Sequence, residues 1–150
     1  MDPQLASSIG NIGASAALAL GAIGSALGTG AAALAAIGAW KKCYAQSKAA
    51  PFLLVAFVGA PLSQTIYGMI LMNTIKNAAL ANPAAWPACL GAGILGGAAM
   101  AMSAWLQGRA GAGASDALAE TGKGFGNYLM ALGVIETVAL FVMVFIGGAL

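Results

Sequence analysis

The run Ala-Leu-Gly-Val-Ile-Glu-Thr-Val-Ala-Leu-Phe, residues 131 to 141, decides how this chain is read. Its single charged group, Glu136, lies inside an apolar stretch from Phe125 to Ile146, long enough for the roughly 20 residues that a helix needs to cross about 30 Å of hydrocarbon. Glu136 stands 11 residues into that span, close to its middle. Inserting a charge at that depth costs about 2.5 to 3.5 kcal/mol on insertion scales, so such a residue persists where it is paired, neutralised or used. Two uses are open to it: a protonated glutamate tying helices together in a four-helix channel or structural membrane protein, or an ion-carrying carboxylate.

Working outward, the 150-residue chain is 61% apolar and 7% charged and has no His, far from the balance of a soluble globular domain. Its 22 glycines and many alanines replace the bulky residues of an ordinary core, which points to helices packing through close backbone approach in lipid. Six Lys and Arg scattered along the chain make no basic stripe and exclude a nucleic-acid surface. The segment from Met1 to Ser8 carries Asp2 and no basic residue, the wrong charge for a secretory signal, so the first apolar run is expected to be retained.

Three further apolar stretches precede the one that holds Glu136: Ile9 to Ala39, Pro51 to Ile75 and Pro87 to Ala114. Breaks are expected at Trp40 to Ala50, Asn77 to Trp86 and Ser115 to Gly124. The fold class is therefore an all-α membrane protein of four transmembrane helices in a single membrane domain, residues 1–150. Lys41, Lys42 and Lys48 sit in the first break, and Arg109 and Lys123 sit in or beside the third, leaving only Lys76 at the other side. The positive-inside bias puts the first and third connections in the cytoplasm and both termini outside a multi-pass chain in the cell membrane. Trp40 and Trp86, near expected helix ends, read as interfacial anchors. Cys43 and Cys89 then fall on opposite sides of the membrane and are expected to be free thiols.

The first and third spans are rich in small residues, with Gly21, Gly24 and Gly28 in one and Gly93, Gly96, Gly97 and Gly108 in the other. The second and fourth carry bulk, such as Phe52, Phe57 and Ile70, then Leu132, Phe141 and Phe145. Small and large alternate as in a duplicated helical hairpin, with repeats over about 9–76 and 87–148. Gln64-Thr65-Ile66 overlays Glu136-Thr137-Val138 at an offset of 72 residues, so one copy has the acid and the other its neutral amide. Glycine-rich helices inside and bulky helices outside fit a two-layered ring; a plain four-helix bundle is the simpler alternative.

The other strongly polar side chains at that depth are few. Ser63, Gln64 and Tyr67 share neighbouring parts of one helix face, and Gln107 is a further amide in the third span. Pro61 removes the hydrogen bond to the carbonyl of Phe57 and loosens the turn, freeing backbone oxygens near Ala60 to face a ligand. Thr137 and Thr65 are secondary, because a threonine readily bonds back to its own helix. One carboxylate with several neutral oxygens suits a hard monovalent cation, Na⁺, whereas a soft or borderline metal favours His or Cys. A proton carrier needs less, only the carboxyl and one acceptor, so H⁺ remains the alternative. No nucleophile and base pair, phosphate loop or metal-ligand cluster appears, which argues against a catalytic centre.

With Ala-Pro-Leu-Ser-Gln-Thr-Ile-Tyr-Gly at 60 to 68, Leu-Gln-Gly-Arg at 106 to 109 and Val-Ile-Glu-Thr at 134 to 137, the chain resembles the proteolipid rotor-ring subunit of a bacterial V-type, sodium-transporting rotary ATPase. The resemblance covers essentially the whole chain. It implies an ion held by Glu136, by amide oxygens at Gln64 and Gln107, by the Ser63 hydroxyl and by the Ala60 carbonyl, with Tyr67 helping to hold the glutamate. It departs from the family pattern at Ser63, where Thr is common, and at Ala60, where a larger apolar residue is common. The resemblance also implies a homo-oligomeric ring in lipid. Its partners would be a stator membrane subunit bearing an arginine and a central-stalk subunit, with ATP hydrolysed in a separate soluble sector.

Overall fold

The computed structural model describes residues 1–150 and contains four long helices and no strand. They are α1 (Pro3–Ala45), α2 (Leu54–Ala81), α3 (Pro83–Thr121) and α4 (Phe125–Gly148), each long and apolar enough to cross a membrane. The chain is a multi-pass, all-α membrane protein, as its composition requires.

The helices outrun the apolar stretches that announce them. α1 starts six residues before Ile9 because Asp2 caps it, its Oδ2 accepting from the Leu5 amide at 3.2 Å, and because Pro3 is suited to the first helical turn. It continues through Lys41 and Lys42 to Ala45 and stops where Ser47 takes a positive φ of 52°. The expected break from Ser115 to Gly124 is helical as far as Thr121. Ser115 bonds back to the Gly111 carbonyl at 2.9 Å, and Asp116 pairs with Lys42 of α1 at 3.5 Å. Polar residues here mark where the helices leave the apolar zone, not where they end. What ends α3 is backbone: Gly122 and Gly124, at φ 66° and 89°, make the reversal into α4. The break expected at Asn77 to Trp86 likewise shrinks to the turn at Asn82, whose Oδ1 accepts from the Ala84 amide at 3.2 Å.

α1 and α3 meet along their small residues. Gly13 lies against Gly93, Gly24 against Ala101 and Gly28 against Gly108, each so close that a Cβ on the glycine would run into the facing backbone. Such contact replaces side-chain interdigitation with main-chain packing. α2 packs on α1, and α4 leans on α3 and α2. The two small-residue helices thus form one layer and the two bulky helices the other. Leu34, Leu95, Phe52, Val134, Phe141 and Phe145 are all exposed, as expected where lipid or another subunit replaces water.

Two apolar clusters fill the interior. One joins Ala14, Ala17, Leu71, Ile75, Ala79, Cys89, Met100 and Ala139; the other joins Ala36, Ala39, Leu54, Phe57, Ala114, Leu118 and Leu132. Both cysteines are buried and unpaired, toward opposite ends of the bundle. Between the clusters lies a single polar layer formed by Gln64, Ser103, Gln107 and Glu136.

Candidate functional site: a carboxylate and two amides between apolar layers

Why α2 presents its polar groups at mid-depth follows from Pro61. Without an amide hydrogen it cannot continue the helical ladder, and residues Ala60–Leu62 tighten into a 3-10 turn before the helix resumes at Ser63. The Ser63 hydroxyl lies within hydrogen-bonding reach of the Ala60 carbonyl at 3.3 Å and of Gln64 Oε1 at 3.2 Å. Pro61 and Gln64 are fully buried, and Ala60, Ser63 and Tyr67 half-buried. Gly28 of α1 permits this close seat, since a Cβ there would meet Pro61 Cβ at 2.9 Å.

Glu136 is half-buried on α4, and both of its oxygens accept hydrogen bonds. Tyr67 donates its phenolic proton to Oε1 at 2.8 Å, and Gln107 Nε2 donates to Oε2 at 3.2 Å. The Gln107 amide also donates to the Leu132 carbonyl at 3.1 Å, while its Oε1 accepts from Gln64 Nε2 at 2.8 Å. Three helices are thereby joined: α2 through Tyr67 and Gln64, α3 through Gln107, α4 through Glu136. Each such hydrogen bond contributes about 0.5 to 1.5 kcal/mol net, so the pair fixes the orientation of the Glu136 carboxyl group.

Of the residues singled out from sequence, the fold brings Glu136, Gln64, Gln107, Ser63, Ala60 and Tyr67 into one connected cluster. Gln107 enters as a bridge: its oxygen is engaged by Gln64 and its nitrogen by Glu136. Thr137 stays outside, exposed and bonded to the Val134 carbonyl of its own helix at 2.7 Å. Arg109 stays outside as well, stacked 5.4 Å from the Trp105 ring. Ser103, which the sequence did not flag, is inside. Its hydroxyl donates to the Ile135 carbonyl at 2.9 Å and accepts from Gln64 Nε2 at 3.4 Å. The one signal for it was its position one turn before Gln107 on the same helix face.

Chemically, the cluster links a carboxyl group, through the Gln107 and Gln64 amides, to neutral oxygens from a side-chain amide, a hydroxyl and a main-chain carbonyl. These are hard donors of low total charge, suited to an alkali cation or a proton.

Residues 90–146 match the family model for the C-subunit of ATP synthase. The matched stretch begins in α3, ends near the end of α4, and contains Ser103, Gln107 and Glu136. No curated protein sequence matches the chain.

Proposed function

We propose, starting from the likeness of the second hairpin to the ATP synthase C-subunit, that this chain is the rotor-ring proteolipid of a V-type rotary ATPase and carries Na⁺ at Glu136. The observation that supports the sodium reading is the surplus of oxygen in the polar cluster to which the carboxylate belongs. Gln64 Oε1, Ser63 Oγ and the Ala60 carbonyl form a contiguous group within 3.3 Å steps of one another, more than a proton needs.

In this reading Glu136 binds Na⁺ together with Gln64 Oε1, Ser63 Oγ and the Ala60 carbonyl, and a remaining lone pair of Gln107 Oε1 completes the set. The loaded site is neutral, and neutrality allows it to pass through hydrocarbon as a ring of copies turns. On reaching a stator subunit that bears an arginine, the carboxylate exchanges its ion for the guanidinium and releases Na⁺ to one aqueous half-channel. Past the stator it reloads from the other half-channel. The chain itself makes and breaks no covalent bond, and ATP is hydrolysed in a soluble sector joined by a central stalk. The first and third connections face the cytoplasm. One carboxylate per four helices lowers the ions moved per turn, a gearing suited to pumping against a steep gradient.

A second reading, the same rotor carrying H⁺, is favoured by one feature: the Tyr67 hydroxyl lies 2.8 Å from Glu136 Oε1, and with its own proton turned away the phenolic oxygen is the one acceptor that a protonated carboxyl needs. A carbodiimide that modifies protonated buried carboxyls separates the two. Protection of Glu136 in the intact ring by millimolar Na⁺, but not by K⁺, is the expected result. Modification indifferent to Na⁺ sinks the sodium reading and leaves the proton rotor.

A further inference from the structure

Resting on the sodium reading above, we infer that Ser103 is a positioning residue that fixes which end of the Gln64 amide faces the ion.

A main-chain carbonyl only accepts, so the contact between Ser103 and the Ile135 carbonyl, at 2.9 Å, takes the single proton of the Ser103 hydroxyl. What remains on Ser103 Oγ is lone pairs, so the end of Gln64 that meets it at 3.4 Å must be the NH₂. That same NH₂ gives its other proton to Gln107 Oε1 at 2.8 Å. Independently, the Leu132 carbonyl at 3.1 Å and the Glu136 carboxylate at 3.2 Å both require the NH₂ of Gln107, which turns its oxygen toward Gln64. Two carbonyls of α4, one turn apart, therefore impose one consistent orientation on both amides. The consequence is that Gln64 Oε1 projects the other way, to within 3.2 Å of Ser63 Oγ and beside the Ala60 carbonyl.

Reversed, the Gln64 amide would present NH₂ to a cation and repel it. Gln107 keeps its orientation without Ser103, because Leu132 and Glu136 hold it; its oxygen still favours the present orientation of Gln64. Ser103 adds the second restraint, and it is 4% exposed, so water does not substitute for it readily. Tyr67 and Gln107 hold Glu136 without its help. Ser103 reaches α4 only at the Ile135 carbonyl, so its main effect falls on the Gln64 amide and not on the carboxylate oxygens.

The test uses intact rings of the wild type, Ser103→Ala and Ser103→Cys, with carbodiimide labelling of Glu136 titrated against Na⁺. Cysteine fills the same space but is a weak hydrogen-bonding atom, which separates the hydroxyl from packing. In both variants the Na⁺ concentration for half protection should rise about fivefold or more, the loss expected of one buried hydrogen bond. Each Na⁺ midpoint is read against the labelling rate of the same ring without Na⁺, so that a change at the carboxyl group itself is separated from a loss of cation binding. Unchanged Na⁺ midpoints in the variants, with the wild type protected, overturn the role of Ser103 and leave the sodium reading standing. A Ser103→Cys ring that matches the wild type while Ser103→Ala is impaired makes the role one of packing and also overturns it. A wild type that Na⁺ does not protect overturns the sodium reading, and the positioning role falls with it.

Discussion

The two hairpins place a polar residue at the same point, Gln64 on α2 and Glu136 on α4, but in different settings. α2 buries a continuous stripe of Leu54, Phe57, Pro61, Gln64, Gly68, Leu71, Ile75 and Ala79, whereas α4 buries only Leu132 and Ala139. The amide therefore belongs to the scaffold and is held from every side. The acid sits on the helix with least support, half-exposed, where something outside the chain can reach it. Under the proposed function this difference becomes a division of labour: the first hairpin supplies most of the fixed oxygens, and the second supplies the carboxylate that exchanges its ion.

Exchanging the two residues should have the largest effect. Glu136→Gln should abolish ATP-driven Na⁺ uptake by proteoliposomes holding the whole ATPase, while the ring still assembles. Adding Gln64→Glu to it should not restore uptake, because a carboxylate at that site is enclosed by Ser103 and Gln107 and beyond the reach of the stator arginine that the proposed function invokes. Recovery of uptake in the double variant contradicts the division.

Next in size is the seam between the hairpins. Gly108→Ala drives a methyl group into the backbone of Gly28, so it should separate α1 from α3 and cost about 1 to 3 kcal/mol or more. Gly113, on the same helix, has open space around its Cβ position, so Gly113→Ala should be neutral or stabilising by up to about 1 kcal/mol. Thermal dissociation of the purified ring distinguishes the pair; equal behaviour argues against the close α1–α3 packing.

A smaller effect is expected at the one tie from α2 to the carboxylate. Tyr67→Phe removes the 2.8 Å bond to Glu136 and should raise the Na⁺ needed for half protection by about tenfold, the scale of a hydrogen bond to a charged acceptor. Least of all is Thr137→Val, since the hydroxyl bonds only to its own helix. A change beyond about twofold in the same titration places Thr137 in the site after all.

Much of this was legible in the sequence because polar residues inside apolar spans are few and each must be accounted for. Glu136, Gln64, Gln107 and Tyr67 stood out in that way, and Pro61 announced the interrupted turn. Helix ends were not legible: hydropathy reports the apolar zone, and α1 and α3 run on beyond it under the control of Asp2 and the glycines at 122 and 124. Ser103 was hidden for the opposite reason. In a helix built from Gly, Ala and Ser, one more small residue carries no signal until the Ile135 carbonyl is seen opposite it. The orientation of the amides was equally invisible, because it is set by carbonyls of another helix.

Equilibrium binding of radioactive Na⁺ to the purified ring tests the central claim most directly. One ion bound per chain is expected in the wild type, displaced by excess Na⁺ but not by K⁺, and none in Glu136→Gln. A wild-type ring that binds no Na⁺, or a Glu136→Gln ring that binds as much, contradicts it.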